Sequence, residues 1–263
     1  MNTQSKPINA NEVADHINPS KKSASLSFFK QLAAYYQLTK PTIVLLVVVT
    51  TIPTLFLPSN ATITSLLVVA TLLGTYFAAA SASIFNHLVE SDLDRLMART
   101  RLRPVASGRV SKPVAFILAS AMALASFGVL AIFVNNLSAS IALGGIFFYV
   151  VIYTLILKPR TPQNIVIGGA AGAVGPLIGW AAVTGTLEWP AWVLFALIFF
   201  WTPPHFWALA LKYKKDYEAA GIPMYPVVYG DEKTRRAIFL YSLLLLPLVL
   251  SLYFGGIAAN FYL

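Results

Sequence analysis

The sequence contains no cysteine and few charged residues. The lack of cysteine excludes disulfides, thiolate metal ligands and cysteine nucleophiles. Only 11% of the 263 residues are charged, whereas 57% are hydrophobic and the mean hydropathy is +0.71. Soluble domains typically carry about 25% charged residues. The composition therefore indicates an integral membrane protein.

Long apolar runs are abundant. Runs of roughly 17 to 25 apolar residues are long enough to cross a hydrocarbon core of about 30 Å as helices. A spanning barrel would instead alternate apolar and polar residues in segments of about ten. The pattern predicts an all-α, polytopic transmembrane helical bundle. Its seven expected spans are Pro41–Leu57, Ile63–Val89, Pro113–Val134, Ser138–Leu157, Ile165–Val183, Trp189–Leu211 and Ala237–Phe254.

Lysine and arginine are absent from every second connection between these spans. All 19 basic residues lie before the first span or between spans two and three, four and five, and six and seven. Of the ten acids, only Glu188 lies on the opposite side. Basic residues near span ends are retained in the cytoplasm, so the charged connections are predicted to face the cytoplasm of a cell inner membrane. The net charge of +9 is then mainly a topology signal, and no nucleic-acid partner is expected.

The chain begins with a polar stretch. Residues 1–38 lack an apolar core followed by a small-residue cleavage site, so they do not read as a secretory signal. We expect 1–38 to be a mostly disordered cytoplasmic tail and 39–263 to be the transmembrane domain.

Charge is concentrated directly after the second apolar run, in the stretch "NHLVESDLDRLMARTRLRPVASG". If the helix continues, Asn86, Glu90 and Asp94 lie four residues apart and share one face, since each residue turns the helix by roughly 100°. Asp92 points away from that row. Two carboxylates and an amide are hard oxygen ligands suited to Mg²⁺. The alternative interpretation is a solvated, mutually paired boundary at the end of a span.

Guanidinium and ammonium groups accompany these acids. Arg99, Arg101 and Arg103 follow the acidic row, and guanidinium groups match the geometry of phosphate oxygens. The stretch "LKYKKDYEAAGIPMYP" after the sixth span and "LKPRTPQN" after the fourth lie on the same side. Together the three loops predict one pocket for a diphosphate.

The quoted stretch resembles the signature of the UbiA superfamily of intramembrane prenyltransferases. That signature is N-x(3)-[D/E]-x(3)-D followed by x-x-M-x-R-T-x-x-R-P, matched here by Asn86, Glu90, Asp94, Met97, Arg99, Thr100, Arg103 and Pro104. The runs "YTLILKPRTPQNIVIGGAAGAVGPLIGW" and "WTPPHFWALALKYKKDYEAAGIPMYPVV" resemble the protohaem IX farnesyltransferase (haem O synthase) branch. The resemblance covers roughly residues 35 to 255.

The resemblance implies transfer of a farnesyl group from farnesyl diphosphate to a vinyl group of haem b, a step in haem O and haem A biosynthesis. It implies Mg²⁺, with Mn²⁺ as a substitute, and a haem A synthase or oxidase-assembly protein as a further partner. The expected metal ligands and catalytic residues are Asn86, Glu90, Asp94 and Asp216. The expected diphosphate ligands are Arg99, Arg103, Lys158 and Arg160, and His205 is the candidate for binding haem. An intramembrane imidazole is a functional candidate by default, although His205 could instead bond a carbonyl freed by "WTPP".

The sequence departs from the family pattern in two respects. The family usually has nine spans, so we expect a chain shortened by two. The second acidic cluster shows Asp216 and Glu218 where relatives carry a fuller D-x(3)-D. Two alternative functions remain open, a UbiA-type enzyme with an aromatic acid or chlorin as acceptor and a small membrane transporter.

Overall fold

The computed structural model describes residues 28–58 and 62–257. The predicted tail falls mainly outside this part, because residues 1–27 are not described and residues 28–38 form a helix. The described residues divide into two units between Ala33 and Ala34, and the site described below lies within the second.

The described residues form twelve α-helices and one π-helical segment. The helices are α1 Phe28–Leu38, α2 Pro41–Phe56, α3 Ser65–Val89, α4 Ser91–Leu96, α5 Lys112–Phe133, α6 Asn136–Phe147, α7 Asn164–Gly172, α8 Val174–Thr184, α9 Trp189–Lys212, α10 Lys214–Ala219, α11 Tyr225–Leu243 and α12 Leu245–Phe254. The π-helical segment, Phe148–Leu157, continues α6. The predicted all-α transmembrane bundle is thereby confirmed.

Six helical stretches in the described part are long and apolar enough to cross a membrane, or seven if α1 and α2 are counted as one bent span. The last one differs from its prediction. It covers Tyr225–Phe254, whereas the sequence predicted Ala237–Phe254. Its first half is polar and includes Gly230 at φ 80° and ψ 170°, a left-handed conformation that suits glycine. A search for apolar runs misses this half because its residues are charged.

Small residues allow the spans to approach each other closely. A Cβ atom added to Gly179 of α8 would lie 2.1 Å from Oγ1 of Thr54 in α2, so this contact requires glycine. Between α3 and α5, the Ser81 hydroxyl donates to the carbonyl of Ala119, and the Ser126 hydroxyl donates to the carbonyl of Gly74, each at 2.8 Å. Such contacts are typical of membrane helices, which associate by packing and hydrogen bonding.

The π-helical segment ends at the loop that carries Lys158. Within it, the Thr154 hydroxyl donates to the carbonyl of Tyr149 at 2.8 Å, five residues earlier in the chain. The Lys158 amide likewise donates to the carbonyl of Tyr153 at 2.9 Å. This wider winding determines which side chains reach α3.

Candidate active site

The acidic row predicted from the sequence is present and buried. Glu90 interrupts the regular helix between α3 and α4, yet its amide donates to the carbonyl of Asn86 at 2.9 Å. The Asp94 amide donates in turn to the carbonyl of Glu90 at 2.8 Å. The helical spacing therefore continues through the break. Asn86, Glu90 and Asp94 are only 2%, 3% and 0% exposed.

Each member of the row is bound by a cationic side chain. One guanidinium nitrogen of Arg103, Nη1, donates to both carboxylate oxygens of Asp94, at 2.8 and 2.9 Å. The Lys158 ammonium donates to Oε1 of Glu90. The Lys40 ammonium donates to Oδ1 of Asn86 at 2.5 Å. Two carboxylates thus share one cluster with Arg103 and Lys158, which balance their charge. Burial and the nearby Arg103 guanidinium lower the pKa of Lys40 to about 7, so Lys40 adds only part of a positive charge at neutral pH.

The ionisation of Glu90 reflects this surrounding. Burial acts to raise the pKa of the Glu90 carboxyl, and the nearby ammonium groups of Lys158 and Lys40 act to lower it. The ammonium groups prevail, so the pKa lies below its ordinary value. Glu90 is therefore a carboxylate at neutral pH and a hard anionic ligand.

Asp92 lies outside the row, in the direction that the helical spacing predicts. Its side chain is 71% exposed. It pairs with Lys112 at 3.2 Å and with Arg95 at 3.5 Å. The two pairs form a surface network, separate from the buried cluster.

The second acidic cluster contacts the first motif through Arg99. The Arg99 amide donates to Oδ2 of Asp216 at 3.4 Å, and its guanidinium donates to the Tyr217 hydroxyl at 3.4 Å. The same guanidinium lies over the ring of Tyr213, 5.0 Å from the ring centre. The structure therefore brings the segments after α4 and α9 into contact at Arg99.

Two further candidates lie apart from the buried cluster. Arg160 is exposed and donates to the carbonyls of Leu155 and Ile156 at 3.0 and 3.1 Å, so its guanidinium caps the π-helical segment. His205 is exposed and stacks on Trp201 with 4.6 Å between ring centres. Its ring also meets Phe206 edge-on at 5.3 Å.

Sequence reasoning missed three residues at the site. Lys40 was counted only as a topology signal, and Thr154 lies unmarked within an apolar run. His87 lies one residue off the acidic row, so helical spacing does not select it. Its ring is buried, and neither ring nitrogen has a hydrogen-bond partner. Lys40 had one weak signal, its position at the very start of a span.

The donor set fits a magnesium ion that is shared with a substrate. Among the described residues, no group of three or more histidines and acids could hold a metal by itself. Mg²⁺, however, commonly binds through one or two carboxylates together with substrate phosphates and waters. Glu90 and Asp94 would supply the carboxylates, and the Asn86 carbonyl a third hard oxygen.

Two adjoining cavities meet at Ile43. The first contains three basic side chains and is lined by Gln37, Lys40, Ile43, His87, Arg99, Leu102, Arg103 and Pro104. The second is apolar and encloses a volume of about 90 Å³. Its wall includes Ile43, Val47, Ala78, Ala82, Ile146 and Ile178. A cationic mouth therefore opens beside an apolar chamber, which suits an amphiphile with an anionic head.

Comparison with known proteins gives sequence matches over most of the chain. The model of the UbiA prenyltransferase family matches residues 47–263. A protein of Gloeobacter violaceus named protohaem IX farnesyltransferase is 55% identical over 229 residues, which is 87% of this chain and 75% of that protein. A Trichodesmium erythraeum protein of the same name is 47% identical over 241 residues, 92% of this chain and 73% of its own.

Solved structures share the fold at low identity. A UbiA homologue from Archaeoglobus fulgidus bound to GPP and Mg²⁺ has a TM-score of 0.70 and 19% identity, covering 84% of this chain and 78% of that one. The apo structure of a UbiA homologue from Aeropyrum pernix has a TM-score of 0.60 and 15% identity, covering 85% and 79%.

Proposed function

Because this chain belongs to the UbiA prenyltransferase family, we propose that it acts as a protohaem IX farnesyltransferase. It transfers the farnesyl group of farnesyl diphosphate to a vinyl group of haem b. The bond between farnesyl C1 and the diphosphate oxygen breaks, and a carbon–carbon bond forms to the terminal vinyl carbon. Water adds to the resulting cation and loses a proton, which gives the hydroxyethylfarnesyl side chain of haem O and free diphosphate.

The observation that carries this proposal is the pair of cavities that share Ile43. Farnesyl diphosphate has an anionic diphosphate head and an apolar tail. The mouth containing Lys40, Arg99 and Arg103 matches the head, because ammonium and guanidinium groups bind phosphate oxygens. The apolar chamber matches the tail in polarity, and the part of the tail that the chamber does not enclose would lie in the bilayer.

Departure of diphosphate builds negative charge on oxygen, and the buried cluster can stabilise that charge. Asn86, Glu90 and Asp94 would hold Mg²⁺, with Asp216 as the candidate ligand from the second cluster. The bound ion would supply Lewis-acid stabilisation of the leaving oxygens. Arg103, Lys158 and Lys40 now bind the acidic row, and they would turn toward the diphosphate. Arg99 and Arg160 are further candidates for the head group.

The apolar chamber has a separate role. The allylic carbon becomes electron-poor as the diphosphate leaves, and water would quench it too early. Apolar walls such as Val47, Ala78 and Ile178 exclude water from this region. The haem acceptor would approach from the membrane, with His205 as the candidate contact to its iron or to a propionate.

The site would face the cytoplasm of a cell inner membrane. By the spans predicted from the sequence, every basic residue lies before the first span or in connections on one side, the side that carries the acidic row. The positive-inside rule assigns that side to the cytoplasm. A soluble diphosphate head could then reach the mouth while its tail remains in the bilayer.

The direct test is conversion of haem b by purified protein in detergent. With farnesyl diphosphate and Mg²⁺, we expect a more hydrophobic haem whose mass equals haem b plus a farnesyl group and a hydroxyl group. An aromatic acid and a chlorin serve as competing acceptors. Product from either of those, and none from haem b, would contradict the proposed acceptor.

A second test addresses the junction between the cavities. Ile43→Trp should hinder the tail, because the larger side chain fills the shared wall. We expect KM for farnesyl diphosphate to rise severalfold while inorganic diphosphate binds as before. Leu45→Trp is the matched control, since Leu45 is exposed on the same helix and lines neither cavity. Equal kinetics in both variants would contradict this route for the tail.

A further inference from the structure

Thr154 makes two hydrogen bonds that connect the π-helical segment to the acidic row. Its hydroxyl donates to the carbonyl of Tyr149 at 2.8 Å. The same oxygen accepts from Nδ2 of Asn86 at 3.2 Å. Thr154 is 4% exposed and Asn86 is 2% exposed, so both bonds are shielded from water.

These bonds determine which way the Asn86 amide faces. A hydroxyl has one proton, and here the Tyr149 carbonyl takes it. The hydroxyl can then act toward Asn86 only as an acceptor, so Asn86 must present its NH₂ group to Thr154. The carbonyl oxygen is left on the opposite side of the amide. Nζ of Lys40 donates to that oxygen at 2.5 Å, which agrees with this orientation.

We propose that Thr154 is a positioning residue that holds the Asn86 carbonyl oxygen toward the metal side of the acidic row. The inference rests on the proposed function, because it takes Asn86 as a ligand of the catalytic ion. Without the Thr154 oxygen as hydrogen-bond acceptor, the Asn86 amide could rotate. It would then present its NH₂ group to the ion, and an amide NH₂ group does not coordinate metal ions. Partners that orient a ligand typically change metal affinity or activity about 10- to 100-fold when removed.

Two residues of the π-helical segment and its C-terminal end match two members of the acidic row. Thr154 and Lys158 lie four residues apart, and so do their partners Asn86 and Glu90. Thr154 bonds a carbonyl five residues back, whereas an α-helical threonine such as Thr71 bonds the carbonyl four residues back, on Leu67. The wider turn therefore aims the Thr154 lone pair at Asn86. Segments of π-helix frequently lie at functional sites.

The test measures Mn²⁺ binding to the full chain in detergent with inorganic diphosphate present, by the EPR signal of free Mn²⁺. Thr154→Val removes the hydroxyl at nearly constant volume and should weaken Mn²⁺ affinity about tenfold. Thr154→Ser keeps the hydroxyl and should restore most of that affinity. Thr71→Val is the matched control, because it deletes a buried hydroxyl that bonds only its own helix.

A double-variant comparison separates orientation from general packing. In Asn86→Asp, the two side-chain oxygens are equivalent, so the Thr154 hydroxyl no longer determines which atom faces the metal. Thr154→Val should then have little further effect on Mn²⁺ affinity. The proposal is overturned if the Thr154→Val variant binds Mn²⁺ as tightly as the wild type. It is also overturned if Thr154→Val lowers Mn²⁺ affinity by the same factor in the Asn86→Asp background as in the wild type. It is also overturned if both Thr154→Val and Thr154→Ala fail to fold, since a structural role would then suffice.

The comparison of Mn²⁺ affinities does not depend on which molecule accepts the farnesyl group. A wild-type protein that binds Mn²⁺ and diphosphate but makes no farnesylated haem would refute the proposed function. The comparison of Thr154 variants would still give its own answer, because its readout is metal affinity.

Discussion

Substituting two neighbouring aspartates should separate the buried site from the surface charge network. Asp94 is fully buried, with both carboxylate oxygens bound by Arg103 at 2.8 and 2.9 Å. Asp92 is 71% exposed and pairs with Lys112 at 3.2 Å. Asp94→Asn and Asp92→Asn each remove one negative charge at constant size, so the pair compares position alone.

The expected magnitudes differ widely. If Asp94 is a metal ligand, Asp94→Asn should lower kcat/KM on the order of 10²-fold or more, which equals about 2.7 kcal/mol. Removing one partner of a buried ion pair costs about 3–5 kcal/mol of stability. The cost here should lie toward the lower end, because Arg103 is 22% exposed and has Glu90 at 3.7 Å. Exposed pairs contribute about 0.2–1 kcal/mol of stability, so Asp92→Asn should change stability by no more than that and leave kcat/KM close to the wild-type value.

The assay is the formation of farnesylated haem from haem b and farnesyl diphosphate, with product quantified by chromatography. Thermal unfolding of each variant in the same detergent shows whether lost activity reflects lost protein. Equal rate losses at the two positions would refute the assignment of Asp94 and the helical-face reasoning behind it.

Three further outcomes are expected. Excess chelator should abolish turnover, and Mg²⁺ or Mn²⁺ should restore it; undiminished turnover would exclude a metal role for the acidic row. Because the Glu90 pKa lies below its ordinary value of 4.5, its ionised form stabilises the fold above that pH, and this contribution is lost as pH falls through the lowered pKa. Lys158→Met removes the ammonium that most lowers the pKa of Glu90, while burial still acts to raise that pKa. Thermal melts of this variant should therefore show acid destabilisation beginning at a higher pH than in the wild type. Identical plots of melting temperature against pH would contradict the pairing of Lys158 with Glu90. Finally, Thr186→Cys should react with an impermeant thiol reagent on intact cells, and Ser107→Cys only after the cytoplasmic face is opened. Both positions are exposed, and the reverse pattern would invert the proposed topology.

Much of the architecture could be predicted because it depends on local properties of the chain. A span needs an uninterrupted apolar run, and such runs can be read directly from the sequence. The row formed by Asn86, Glu90 and Asp94 follows from helical periodicity alone. So does the outward direction of Asp92, because four-residue spacing places side chains on one face whatever that face meets.

What the row meets was decided by the tertiary structure. Lys40 reaches Asn86 from 46 residues away, and Lys158 and Thr154 reach the row from 68 residues away. Periodicity specifies a face but not its neighbour, and neighbours depend on how spans pack and on where small residues such as Gly179 let them approach. The π-helical winding that aligns Thr154 with Asn86 has no counterpart in the apolar pattern of "FYVVIYTLIL". An ordinary α-helix would satisfy that pattern equally well, so the winding and the pairing it produces arise only from the packed bundle.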